Sequence, residues 1–245
     1  MKGLTLLLAA IIAASSAVLS AQWPLYTAGI PKGPDGKPNL AAPAPRTGDG
    51  KPDFSGVWMI ASGADTRNLP FQPWAADLQQ KRLAENGLND PDGLCMPQGP
   101  LQYHVDPQPL KIVQTADVIV ILYEGNGGVR QLFTDGRPLP SSDPQPWWFG
   151  YSTGRWEGDA LVARSSGFRD GGWLDVNGSP LTDAATVTER FTRPNFGNLT
   201  IDITVDDPKA YTRPWTVTVN QQIMLDTELI EFICLENELS TKHFR

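Results

Sequence analysis

TVTERFTRPNFGNLTIDITVDDPKAYTRPWTVTVNQQIML, residues 186–225, alternates apolar and polar side chains through three runs separated by turn residues. Successive side chains of a β-strand point to opposite faces, so this alternation marks strands with one buried face. In TVTERFT (186–192), Val187, Glu189 and Phe191 share one face, and Thr186, Thr188, Arg190 and Thr192 share the other. In LTIDITVDD (199–207), Leu199, Ile201, Ile203 and Val205 point inward and Thr200, Asp202 and Thr204 outward. In WTVTVNQQIML (215–225), Trp215, Val217, Val219, Gln221, Ile223 and Leu225 lie together, with Gln221 as the one polar member.

The same texture extends in both directions. Strand-like runs are FSGVWMI (54–60), KIVQT (111–115), VIVILYE (118–124), VRQLFTD (129–135), YSTGRWE (151–157), ALVARSSGF (160–168) and ELIEFICLE (228–236). Gly125–Gly128, Gly158-Asp159, Pro194–Asn198 and Asp226-Thr227 punctuate them. Many short strands with regular turns predict an all-β protein. Closure would remove the exposed edges of so many strands, so the expected architecture is an antiparallel, mostly up-and-down β-barrel. One short helix is expected over residues 72–86, with Pro73 in its first turn and Gly87 at its stop. Trp74, Leu78 and Leu83 are the residues expected to face the core. A long Pro-rich loop, residues 89–110, follows. Residues 22–53 read as an extended Pro/Gly-rich arm containing an echo, DGKPNL (35–40) and DGKPDF (49–54), and residues 54–245 as a single barrel domain.

The first residues carry a different signal. Lys2, an apolar stretch from Leu4 to Leu19, and small residues at Ser20 and Ala21 read as a cleavable secretory signal over residues 1–21. Export to a periplasmic or extracellular space follows, and no later segment is long and apolar enough to span a bilayer as a helix. The net charge is −7 with no basic run, which fits neither nucleic acid nor anionic lipid as a partner. In an oxidising compartment Cys95 and Cys234 form either a disulfide or two buried thiols. Two cysteines and two histidines, His104 and His243, show no metal-ligand spacing, and no phosphate-cradling loop implies a nucleotide cofactor. The composition says nothing about oligomeric state.

GRWEGDALV (154–162), TERF (188–191), DDPKAYTRPW (206–215) and CLEN (234–237) resemble a large group of exported bacterial proteins without a settled activity. GKPDFSGVW (50–58), CMPQGP (95–100) and FTDGRPLP (133–140) fit the same group, so the likeness spans residues 45–238. The resemblance implies export and a lipocalin-like β-barrel, and it transfers no catalytic residues. Many members carry a histidine where this chain has Leu181, so a mechanism built on that histidine does not carry over.

Candidate chemistry is sparse. Arg155, Trp156, Glu157 and Asp159 look like the parts of a site, but Glu157-Gly158-Asp159 sits where a hairpin turn is expected and its carboxylates should be solvated. Glu189 is different: it interrupts an apolar face. A carboxylate inside the core costs on the order of several kcal/mol unless it is paired or protonated. It is therefore either an acid–base candidate or the partner of an arginine such as Arg130 or Arg155. Glu189 and Gln221 would line a mostly apolar cavity, or the interior is filled by side chains. Two loops would form a mouth: residues 133–150 with Arg137, Trp147 and Trp148, and residues 168–184 with Asp170, Trp173 and Asp175. The function expected first is binding of a small, mainly apolar molecule. The rivals are a metal-free isomerase, lyase or hydrolase using Glu189, and an envelope protein with a solid barrel.

Overall fold

The computed structural model describes residues 29–140 and 145–236. The expected signal segment lies outside them. Among the described residues, eleven strands and two α-helices follow one another: β1 (Gly56–Ser62), α1 (Pro73–Ala84), α2 (Gln102–Val105), β2 (Leu110–Gln114), β3 (Val118–Tyr123), β4 (Val129–Phe133), β5 (Tyr151–Glu157), β6 (Ala160–Ser166), β7 (Gly172–Trp173), β8 (Pro180–Leu181), β9 (Thr186–Thr192), β10 (Asn198–Asp206) and β11 (Trp215–Met224). Nine of the strands close a barrel in the order β1-β11-β10-β9-β6-β5-β4-β3-β2, and β7 and β8 form a separate two-stranded sheet. The all-β barrel is as the alternation requires.

One neighbour pair departs from the antiparallel expectation. β4 and β5 run parallel and share two residue pairs, Leu132↔Ser152 and Phe133↔Thr153, whereas β10 and β11 share eight. The reason is parity. Strands that alternate in direction can close a ring only if their number is even, so a ring of nine must contain a parallel pair. A parallel pair needs a long crossover. Residues 134–150 supply it.

The predicted faces are observed. Val187, Glu189 and Phe191 of β9 are buried, as are Leu199, Ile201, Ile203 and Val205 of β10 and Trp215, Val219 and Gln221 of β11. Side chains from β1, β2 and β3 complete the core, including Trp58, Leu110, Ile112, Ile119 and Ile121. The β5–β6 hairpin turns at Gly158, whose φ of +63° is costly for a side-chain-bearing residue. Glu157 there pairs with Arg155 and Arg190, and Asp159 pairs with Arg46. This stretch is a solvated hairpin tip.

Three local expectations are corrected. ELIEFICLE, residues 228–236, forms no strand. Both sides of β1 are already paired, to β11 and β2, so the chain leaving β11 meets no free edge. In α1 the buried residues are Ala75 and Gln79, while Trp74 and Leu83 are about half exposed. The small Ala75 lets the helix backbone approach closely, and the Trp74 indole N–H donates to Lys209 O at 2.8 Å instead of entering the core. The arm is not simply extended: residues 31–39 and 45–53 form two similar miniature hairpins. In each, an amide donates across the turn (Gly33 to Lys37 O and Thr47 to Lys51 O, both 2.8 Å), and a second amide closes the base (Asn39 to Pro31 O, Asp53 to Pro45 O). The sequence echo is thus a structural repeat. Leu40 and Ala42 then clasp the β9–β10 turn by accepting from Gly197 and Phe196.

Cys95 and Cys234 are bonded across a sequence separation of 139. The bridge ties the 89–110 loop to the segment after β11. A cross-link over so long a loop restricts the unfolded chain strongly. Replacing both cysteines with serine should cost roughly 2–5 kcal/mol, read as a lower urea midpoint than that of the oxidised protein.

Candidate functional site

Four strands and one short helix converge on Glu189. The β9 alternation turns its carboxylate inward, and the β4 alternation VRQLF turns Arg130 and Leu132 inward. Arg130 grips the carboxylate with both ends of its fork, Nη1 to Oε1 at 2.8 Å and Nη2 to Oε2. The same guanidinium donates to Ser152 Oγ of β5 from Nε (3.3 Å) and to Ser165 Oγ of β6 from Nη2 (2.8 Å). The two serine hydroxyls lie 2.7 Å apart. Arg130 therefore reaches from β4 to β5, β6 and β9, across the seam where the backbone ladder is shortest.

The fifth contributor comes from α2. Leu101, Gln102, Tyr103 and His104 are all buried, so this turn is a plug. His104 Nε2–H donates to Glu189 Oε1 at 2.8 Å, and Gln221 Nε2 donates to His104 O at 2.6 Å. Tyr103 packs on Tyr123 and Phe149, with ring centroids 4.4 and 5.1 Å away. Gly99, at the start of the plug, admits no side chain, because a Cβ there would lie 1.9 Å from Trp173 O.

The electrostatics follow from these contacts. Burial pushes the Glu189 carboxyl up, but the Arg130 charge and hydrogen bonds, with the His104 hydrogen bond, more than reverse this and hold it at about 2. Arg130 is pushed down by burial and raised overall by Glu189. The side chains of Glu189 and His104 are 0% exposed. A side chain bordering a water-sized void would show accessible area, so the interior is filled around Glu189. An ionised carboxylate held by a guanidinium, with no space for a substrate beside it, is poorly placed for general acid or base work.

Space exists instead outside the seam. Where β4 and β5 diverge, a cleft of about 320 Å3 opens, with Phe133, Trp147, Trp148, Phe149 and Tyr151 on its walls and Arg130 and Ser152 among its lining. Trp147 and Phe133 each pack against Tyr151, at 5.6 and 5.3 Å. Trp147 is anchored by backbone bonds from its N–H to Gly167 O and from Arg169 N to its own O, both 2.9 Å. The Arg169 guanidinium sits 5.2 Å from the Trp148 ring.

The sequence-predicted residues separate into groups. Trp147 and Trp148 meet at the cleft. Arg137 stands beside it, over the Phe133 ring at 4.0 Å and donating to Tyr151 Oη at 3.2 Å, with its fork engaged by its own loop's Asp135. Trp173 is elsewhere, buried in β7 with Arg82 over its ring. Asp175 is also buried and closes the β7–β8 turn by accepting from the Asn177 and Ser179 amides and the Ser179 hydroxyl. Asp170 is exposed. Gln221 secures the plug. The mouth expected from residues 168–184 is thus largely a packed hairpin. Sequence reading missed the roles of Ser152, Ser165 and His104; inward register on β5 and β6 was the available signal for the serines. Among the described residues, no group of three or more His, Cys, Asp or Glu side chains is placed to hold a metal ion. The chain matches no protein-family model and no curated protein sequence.

Removing the carboxylate leaves Arg130 buried and unpaired. Glu189→Gln should cost about 3–5 kcal/mol in urea unfolding at pH 7. The pH dependence has a definite sign. Because the folded pKa lies below the ordinary 4.5, the pair stabilises fully above pH 4.5, and that contribution is lost as pH falls through about 2. The urea midpoint should therefore fall between pH 4.5 and 2, and Glu189→Gln should show a shallower fall over the same window.

Proposed function

We propose that this protein is an exported β-barrel that binds a small, mainly apolar molecule, and that the ligand lies in the seam cleft between β4 and β5, outside the barrel. The observation that carries the reading is the aromatic cleft itself. Its volume of about 320 Å3 falls at the lower end of the range for small-molecule sites. Its walls are rings held by backbone and ring contacts, so little ordering accompanies binding. Trp147 is 39% exposed, which leaves a stacking face for a flat apolar ligand. Arg130 is engaged by Glu189 and Arg137 by Asp135, and the exposed Arg169 lies over the Trp148 ring, so the cleft walls themselves offer mainly ring surface to an uncharged body.

Export is supported by the Cys95–Cys234 disulfide and by the signal-like first residues. No helix among the described residues is long and apolar enough to cross a membrane. The enzymatic alternative built on Glu189 loses support because that carboxylate is enclosed and ion-paired.

Calorimetric titration with 2-naphthol, an uncharged two-ring probe, tests the reading. The oxidised protein should bind it, and Trp147→Ala and Trp148→Ala should each weaken binding about tenfold, the loss of a ring contact worth about 1–1.5 kcal/mol, with little change in melting temperature. Absence of binding, or undiminished affinity in both variants, would remove the cleft as the ligand site. Mass spectrometry of molecules co-purifying with the native protein would then identify the natural occupant.

A further inference from the structure

Arg130 and Arg193 are both buried, and their surroundings differ sharply. Arg130 has a carboxylate and two hydroxyls. Arg193, just beyond β9, is 6% exposed and is held by two neutral carbonyls: Nη1 donates to Asp53 O, and Nη2 to Phe196 O at 2.6 Å. Its charge lies against two rings, Trp58 at 4.8 Å and Phe196 at 5.4 Å. Its Nε–H has no partner among the described residues, and none of their carboxylates pairs with it. Asp53 acts on it only through space, and the Asp53 carboxylate accepts from the Ser55 amide at 2.8 Å. Burial pulls the guanidinium down to about 10, with Asp53 opposing.

A buried cation without a counter-charge is an expensive thing to keep in a fold. An unsatisfied Nε–H next to Nη is also half of the side-on fork with which arginine takes a carboxylate. Arg193 lines a cleft of about 430 Å3 between the arm, β1 and the end of β11, with Val57, Phe196, Ile223 and Met224 as apolar wall. Lys111, Glu228 and Asp53 are also on the wall: Lys111 pairs with Glu228 at 2.5 Å, and the Asp53 carboxylate is held by the Ser55 amide at 2.8 Å. One poorly compensated positive charge beside an apolar wall fits one negative charge on an apolar body.

We propose that this cleft binds a small amphiphilic monocarboxylate, its carboxylate taken by the Arg193 guanidinium and its hydrocarbon laid against Val57, Phe196, Ile223 and Met224. A phosphate dianion fits less well, because a second negative charge would find no free cation beside Arg193. The site lies on β1, β2 and β11 and is independent of the seam cleft, so either can fail without the other.

The test uses the oxidised mature protein with 13C-labelled methionine methyls, the Met224 signal being assigned by its loss in Met224→Leu. Octanoate should shift the Met224 methyl saturably and bind at least tenfold more tightly than 1-octanol. Trp147→Ala should leave that affinity unchanged, and Arg193→Lys should weaken it at least tenfold. An unmoved Met224 signal, or equal affinity for 1-octanol and octanoate, overturns the proposal. So does an Arg193→Lys variant that folds and binds octanoate undiminished. Arg193 also anchors Asp53 and Phe196, so if the variant fails to fold, the octanoate and 1-octanol comparison on the unaltered protein decides alone.

Discussion

A ring of nine strands cannot alternate all the way round, and most of what is distinctive in this molecule follows from that constraint. One neighbour pair must be parallel, and here it is β4 and β5, with only two residue pairs in register. A seam this short is a poor backbone joint. The joint is reinforced from inside: Arg130 on β4 hydrogen-bonds Ser152 on β5, Ser165 on β6 and Glu189 on β9. The buried ion pair is therefore read as a staple across the weakest part of the wall. A hydrophobic pair of similar volume can match a buried ion pair in stability, but it is not directional. The fork geometry of Arg130 is directional, and it joins β4 to β5, β6 and β9 where the ladder is short.

Much of this was legible locally. Alternation in residues 186–225 gives the strand faces because it depends only on adjacent side chains, and one inward carboxylate stands out against Val187 and Phe191. Of the two arginines expected as its partner, Arg130 shares the buried face of β4 with Leu132 and takes that place, while Arg155 pairs with Glu157 at the hairpin tip. What escaped depended on distant parts of the chain. Ring parity cannot be read from any single strand, although the long crossover of residues 134–150 is its trace. The strand-like pattern of 228–236 is genuine, but a strand needs a free edge, and closure had used both sides of β1. The plug was the hardest to see. Residues 98–105 have no periodicity, and their placement rests on contacts with β7, β9 and β11 remote in sequence: Gly99 against Trp173, His104 with Glu189, and Gln221 with the His104 carbonyl.

The plug also decides where function can sit. A barrel of this size can hold side chains or one small ligand in its interior. Here Tyr103 and His104 from the plug, with Arg130 and Glu189 from the walls, occupy the space beside the ion pair. On the proposed reading, a ligand would sit outside, at places where the wall is imperfect. The seam is one such place, because diverging strands expose ring faces between them. The junction of the arm with β1 and β11 is another, because the arm brings Asp53 near Arg193 only through space and, among the described residues, puts no carboxylate in contact with it. The two places differ in charge: at the seam Arg130 and Arg137 are paired with Glu189 and Asp135 and Arg169 lies over the Trp148 ring, whereas Arg193 contacts only carbonyl dipoles and ring faces among the described residues. Satisfied cations beside open rings select for apolar surface, and an unsatisfied cation beside apolar wall selects for an anion with a tail. On the two proposals, the chemistry of each site follows from whether the arginine beside it has a carboxylate partner.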